Sequence, residues 1–315
     1  MNVERGLLIH PAELSDKWLG RMCASTLKRF GLHPVGGAKA DESMAGLIAD
    51  IRQLSPALDK IESCGIAVEH EMHALRWMLP AQMFASHPDW FRMNEKGERT
   101  ADYNLCVSNR DALDYVTVRA AEAARLLPAK SHRYHFWIDD VKKAHCSCPD
   151  CRGLSTSDQA LRIYNAILAG LRLTDPEAKQ CYLSYHDTLQ APRKVEPAEG
   201  IYLEYAPMDR DFDRPLSDGD SEKNRGQTAV LPALLSCFGK ADAMACEYWL
   251  DNSMYSRWTK PPKYFEWKRD VTMRDLEFYD RWEFTAATTF ACYLGPDYEE
   301  TYGSFPEIGE YLTME

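Results

Sequence analysis

Along the chain, short apolar runs of strand length alternate with longer stretches whose apolar residues recur at helical spacing. That alternation predicts βα units arranged on a parallel sheet. Gly6 to His10 is the first such run, and the amphipathic stretch Trp18 to Phe30 follows it. Gly31 to Gly37 reads as a second strand, in which His33-Pro34 echoes His10-Pro11. Asp41 is placed to cap a helix carrying Met44, Leu47, Ile48, Ile51 and Leu54, with Pro56 expected to interrupt or kink it and Gly65 to end it. Ile66 to Val68 is the third strand, running into Glu69, His70, Glu71 and His73.

Leu75 to Tyr103 has no clear period, and a loop this long in a compact barrel is usually functional. Leu105 to Val107 is expected to add a small strand, and Asn109 to cap a helix reaching about Leu127. Tyr134 to Ile138, aromatic and β-branched, is the fourth strand. A helix over Ser157 to Leu171 and a fifth strand over Gln180 to Tyr185 follow. Leu189 to Gly200 holds two prolines and no helical period, so the fifth helix is expected to be missing. Strand Ile201 to Tyr205, a charged loop Asp209 to Asn224, helix Gln227 to Phe238, strand Met244 to Trp249, helix Thr272 to Trp282 and strand Phe284 to Tyr293 complete the pattern. The expectation is an α/β fold, a (β/α)8 TIM barrel lacking a regular fifth helix. With no low-complexity linker and no fixed-period repeat, residues 1–315 read as a single domain.

Composition narrows the partners. Hydrophobic content of 45% and charged content of 27% are ordinary for a globular chain. A net charge of −11 argues against nucleic acid, which wants a basic face. No apolar run has bilayer-spanning length, and the opening MNVERGLLIHPAEL lacks secretory character. Seven of the ten cysteines stand singly in apolar contexts, so a reduced, cytoplasmic protein is expected.

Candidate chemistry gathers where strands run out: His10, His33, Glu69, His70, Asp139, Asp140, His186, Glu204, Glu247 and Asp251. In a barrel these ends surround one mouth. Trp77, Tyr185, Tyr205, Tyr248, Trp249, Tyr255 and Trp258 stand beside them, and carboxylates with flat aromatic faces suit a neutral sugar ring. Asp139 and Asp140 follow a buried run directly, a costly placement unless that end opens into a polar site. Taken singly, each histidine or aromatic is also what a satisfied structural group would look like. No phosphate-binding glycine loop, dinucleotide fingerprint or Gly-x-Ser-x-Gly elbow is present. Glu69-His70-Glu71-Met72-His73 does not match His-Glu-x2-His, though a metal-dependent hydrolase using Glu69, His70 and His73 stays as an alternative. Cys146-x-Cys148-x2-Cys151 is a candidate structural zinc site, its fourth ligand to come from His145 or a distant cysteine; a free-thiol cluster bracing the loop is the other reading.

His87-Pro88-Asp89-Trp90-Phe91, Gly97-Glu98-Arg99, Leu105-Cys106, the Asp pair and the Cys-x-Cys-x2-Cys motif resemble a family of bacterial barrels, domain-of-unknown-function family 4838, over about Ile66 to Pro207. The resemblance implies a glycoside hydrolase, with endo-acting N-acetylglucosaminidases and, more remotely, hexosaminidases and α-glucuronidases as relatives. Ile138-Asp139-Asp140-Val141 is similar to the catalytic pair of O-GlcNAc hydrolases. That likeness implies a β-N-acetylhexosaminidase in which Asp140 is the general acid and Asp139 orients the acetamido group. Hexosaminidases more often carry Asp-Glu here, which leaves the sugar open. The alternatives are an inverting, α-glucuronidase-like enzyme with Asp140 as acid and Glu204 or Glu247 as base, and a non-catalytic carbohydrate-binding barrel. Expected sugar contacts are His10, His33, Glu69, His70, Trp77, Tyr185, His186, Tyr205, Trp249 and Asp251. The chemistry requires no cofactor. The N-terminal α/β domain common in such enzymes is absent from this sequence, which implies an exo-acting, homo-oligomeric enzyme.

Overall fold

The computed structural model describes residues 2–35, 40–303 and 308–314, and only the backbone of 40–43. Among these described residues nine strands form one sheet: β1 (Glu4–Ile9), β2 (Arg29–Leu32), β3 (Ala67–Val68), β4 (Glu71–His73), β5 (Arg133–Trp137), β6 (Lys179–Ser184), β7 (Ile201–Tyr205), β8 (Met244–Glu247) and β9 (Ala286–Phe290). Every pairing is parallel, in the order β3-β2-β1-β9-β8-β7-β6-β5-β4. The two edge strands are joined by Glu69-His70 alone, so the edges meet within one continuous stretch of chain. The result is the expected (β/α)8 barrel, with its third strand broken in two.

The break falls beside Gly31, a point of close backbone approach. A Cβ on Gly31 would lie 2.2 Å from the Glu69 carbonyl oxygen, so the chains approach more closely than side chains permit. Past that point side chains replace the ladder. The Leu32 amide donates to His70 Nδ1 at 3.3 Å, and His33 Nδ1 meets the Glu71 carbonyl at 2.7 Å. Along each strand alternate residues point into the barrel or out to the helices. The outward apolar faces of all the strands merge into one continuous core with the helices.

The helix after β1 is shorter than the apolar pattern predicts, Asp16–Cys23 rather than 18–30. Strand β2 begins at Arg29, whose guanidinium reaches Glu4 and Glu69 at 2.8 Å each; Gly36 and Gly37 of the predicted second strand lie outside the described residues. Pro56 does not interrupt its helix, Ala40–Ser63. The Ser55 hydroxyl donates at 3.2 Å to the Arg52 carbonyl, the acceptor that Pro56 cannot serve. The expected Asp41 cap lies outside the described side chains.

The long loop after β4 carries an isolated antiparallel bridge, Phe91 to Leu105, in place of the expected strand over Leu105 to Val107. Two further helices, Arg110–Leu126 and Thr156–Leu171, flank β5. The fifth helix is missing as expected. Its place is taken by an irregular segment that Asp158 holds: one carboxylate oxygen accepts the amides of Arg193, Lys194 and Val195 at 2.7–3.1 Å. The predicted helix over Gln227 to Phe238 is two helices, Glu222–Thr228 and Leu231–Phe238, the second opening on Pro232. No helix of the described residues is long and apolar enough to cross a membrane.

Candidate active site

At the carboxyl ends of the strands lies a cavity of about 470 Å3, within the range of small-ligand sites (about 300–1,000 Å3). Three histidines from successive strands form one wall: His10 after β1, His33 after β2, and His73 ending β4. Each is held the same way, Nδ1 against the backbone carbonyl of the next strand: His10 to His33 at 2.9 Å, His33 to Glu71 at 2.7 Å, His73 to Ile138 at 2.5 Å. A carbonyl only accepts, so each Nδ1 carries a proton. Burial keeps His10 and His33 neutral, with Nε2 as acceptor: it lowers the pKa of His10 and takes His33 down to about 3.

Aromatic side chains make up much of the remaining lining: Trp137 and Phe290, in ring contact with His33 at 5.7 and 5.0 Å, Tyr293, in contact with His10 at 6.2 Å, Tyr185 and Tyr248, with Trp258 at the rim, 64% exposed. Trp258 and its neighbour Arg257 both sit at positive φ, 52° and 55°, an uncommon placement for bulky residues. Among the described residues the lining holds two carboxylates, Asp140 and Asp251, and no lysine or arginine. Asp140, about one-third exposed, accepts the Tyr185 hydroxyl at 3.2 Å and lies 4.0 Å from His73 Nε2. Asp251 is buried, and that burial pushes its pKa up to about 6 against the pull of the Ser253 hydroxyl and amide. Beside it Glu13 accepts the amides of His10 and Tyr293, and burial pushes it up to about 8.

Of the predicted residues, the structure brings Asp140, His10, His33, Tyr185 and Asp251 to this cavity. Asp139 turns aside: Oδ2 accepts the Asn104 amide at 2.6 Å, and its own amide donates to Asn104 Oδ1 at 3.1 Å. With His186 it lines a neighbouring recess of about 30 Å3, where burial raises its pKa. His186 pairs with Asp209 at 3.0 Å.

Glu204 does point inward, but below the cavity. Its Oε2 accepts from Trp137 Nε1 at 2.9 Å and meets His135 Nδ1 at 3.0 Å. Burial alone would lower His135, but Glu204 and Glu71 carry it up to about 10; Glu69, also bound to Arg29, faces its Nε2 at 3.5 Å. Glu69 and Glu204 are therefore counter-ions to a buried cation. Glu247 points outward, because its neighbour Cys246 faces the cavity and successive strand residues alternate. It accepts from Arg210 at 2.8 Å and from Tyr279 at 2.6 Å. Tyr205 and Trp249 share that outer layer, Trp249 donating to Asp275 at 2.9 Å. Trp77 lies under Arg119, 4.0 Å from its ring centroid. Glu69, His70 and His73 do not converge on one point: one is ion-paired, one accepts the Leu32 amide, one lines the cavity.

The predicted contact set omits Trp137, Phe290, Tyr293 and, as a sugar contact, His73. Period-two alternation carried up from the inward residues of each strand would have found all but Tyr293.

A second cluster lies behind the Asp pair. Cys106, Cys146, Cys148 and Cys151 are all buried, their sulfurs within 4.8 Å of one another. Cys106 comes from the long loop after β4, whereas His145 is not part of the group.

A family profile described as domain of unknown function (DUF4838) matches residues 53–229, more than half of the chain. The chain belongs to that family. The assignment read from the motifs between Ile66 and Pro207 is thereby borne out, and this member's first and last strands fall outside the matched span. No curated protein matches it. Among solved structures, an exo-β-1,4-mannosidase from an Opitutaceae bacterium is 10% identical with a TM-score of 0.51, over 98% of this chain and 58% of that one. A β-galactosidase from a psychrophilic Marinomonas is 12% identical with a TM-score of 0.53, over 91% and 54%. A family 5 glycoside hydrolase from Prevotella bryantii is 8% identical with a TM-score of 0.52, over 96% and 92%. The chain thus spans little more than half the length of the first two, and the likeness is one of fold.

Proposed function

We propose that this barrel hydrolyses the glycosidic bond of a neutral sugar, with Asp140 as general acid and Asp251 as the carboxylate facing the other side of the scissile bond. The observation that carries this is that these two acids line the same cavity, among aromatic faces and the imidazoles of His10, His33 and His73. Glycosidases work with two carboxyl groups flanking the bond, one giving a proton to the leaving oxygen, the other serving as nucleophile or water-activating base. Asp140 is the more exposed and suits proton exchange with a leaving group at the mouth. Asp251, buried and held by the Ser253 hydroxyl and amide, is fixed in position for the second role. The absence of a cation among the described lining residues favours an uncharged sugar over a uronate.

The N-acetylhexosaminidase version needs Asp139 to reach an acetamido group, and the bonds between Asp139 and Asn104 speak for the direct pair instead. Fold-level likeness to a mannosidase and a β-galactosidase is consistent with a neutral hexose but does not choose one.

The test is Asp140→Asn on two leaving groups. Asparagine keeps shape but has no proton to give. Disaccharide-type substrates, whose leaving alkoxide needs protonation, lose about 10²–10⁴ in rate. Nitrophenyl glycosides, which leave largely unaided, lose much less. A screen comparing 2-acetamido and 2-hydroxy sugars decides the acetamido question. Equal losses on both leaving groups would assign the acid elsewhere.

A further inference from the structure

We infer that Cys106, Cys146, Cys148 and Cys151 bind one zinc ion as a closed tetrahedral site. The separations are those of a shared metal. Cys106 Sγ lies 3.6 Å from Cys148 Sγ and 3.8 Å from Cys151 Sγ. A tetrahedron with Zn–S bonds of about 2.3 Å has S···S edges of about 3.8 Å. A disulfide would need about 2.05 Å, and all ten cysteines are free. An iron–sulfur cluster spreads its cysteines over separate iron atoms, farther apart than these.

The surroundings suit a thiolate tetrad, which leaves two negative charges around a divalent ion. The Met93 amide donates to Cys146 Sγ at 3.3 Å, Arg99 Nη1 approaches the same sulfur at 3.9 Å, and the Ser108 hydroxyl lies 3.1 Å from Cys151 Sγ. Donors of this kind orient and tune metal ligands. The loop is also held without metal. Gln159, from the helix behind it, accepts the Cys146 amide at 2.8 Å and donates to the carbonyls of Cys146 and Cys151 at 3.0 and 3.3 Å. With no vacant ligand position and all four sulfurs buried, the ion is structural.

Its effect is to staple two barrel loops. Cys106 belongs to the loop after β4, the other three to the loop after β5. Between the loops run the Asn104–Asp139 bonds and the bond from the Ser147 amide to the Met93 carbonyl at 2.8 Å. The wall carrying Asp139 and Asp140 is thus tied to the otherwise irregular segment facing it.

The test is metal analysis of the full chain, purified under reducing conditions without a chelating resin. The expected result is about one zinc per chain, released by an organomercurial and lost with a fall in melting temperature on chelation. Refolding with cobalt(II) should give the intense visible bands of tetrahedral thiolate coordination. Cys106→Ser should retain at most about one-tenth of the zinc under the same chelator, while Cys237→Ser, remote from the cluster, should retain all of it. The proposal is overturned by a metal-free native protein that takes up no cobalt, by iron with acid-labile sulfide, or by full zinc retention in Cys106→Ser.

Discussion

Replacing Arg210 with Met tests whether the acid at the end of β8 is a structural or a chemical group. Arg210 is fully buried between Glu247, at 2.8 Å, and Asp275, at 2.7 Å. It also donates to the Arg214 carbonyl at 2.8 Å. The carboxylates keep lesser donors, Tyr279 for Glu247 and Trp249 with the Leu216 amide for Asp275. Methionine fills much of the space but leaves two acids facing each other in the outer layer of the barrel. Removing one partner of a buried ion pair costs about 3–5 kcal/mol, because the remaining charge is stranded. At about 2.1 cal/mol/K of unfolding entropy per residue, a chain of 315 residues has about 0.66 kcal/mol/K at its midpoint. The melting temperature should therefore fall by roughly 5–8 °C at pH 7.

The loss should also depend on pH in a definite direction. Burial already raises Glu247 to about 7 with Arg210 present, and raises Asp275 as well. Without the arginine both rise further above their unfolded values. Stability from a carboxyl whose folded pKa is raised is present below the unfolded pKa and is lost as pH climbs through the window between the two. The gap between wild type and variant should thus be smaller at pH 5 than at pH 8. Thermal melts by circular dichroism at the two pH values make the measurement, with kcat on a nitrophenyl glycoside as the second readout. Turnover per folded molecule should stay within about 3-fold, because Glu247 faces away from the cavity. A shift under about 2 °C, or a larger loss at pH 5 than at pH 8, would refute the structural assignment. So would a Glu247→Gln variant with wild-type melting and a turnover loss near 10²-fold.

Two further outcomes follow from the cavity. Asp251→Asn should lower kcat/KM by about 10² and remove the acid limb of the pH profile, which in the wild type should rise through about pH 6 as this carboxyl ionises; a variant that keeps that limb assigns it to another group. Trp258→Ala, an exposed change at the rim, should raise KM roughly 3–10-fold with kcat unchanged and melting within about 1 °C, and an unchanged KM on all glycosides would remove Trp258 from the site.

The barrel was legible because its strands are short, apolar and evenly interleaved with helical periods, and even the missing fifth helix followed from Pro192 and Pro197. The break in the third strand was not legible. It lies where the Glu69 carbonyl approaches Gly31, a contact between residues 38 positions apart that no local period encodes. The fourth cysteine was hidden for the same reason: Cys106 precedes the Cys146 motif by a whole helix and strand, and only the loop's return brings the sulfurs together.

The site shows a different limit. Gathering every polar residue at a strand end treats the ends as a ring of equivalent positions, yet one step along a strand reverses the direction of a side chain. Cys246 and Tyr248 line the cavity, so Glu247 between them must face the helices, where Arg210 and Tyr279 answer its charge. Glu204 has the right direction and the wrong height, one layer below Trp137, where it balances His135. Direction and height are both countable once one inward residue per strand is known. Counted upward from His135, the next inward position is Trp137; from Glu71 it is His73, and both lie on the wall of the cavity. Asp139 would be next on β5, but the strand has already ended, and the Asn104 amide draws that carboxylate aside. What reaches the mouth from the Asp pair is Asp140, which strand parity alone would have pointed away from it.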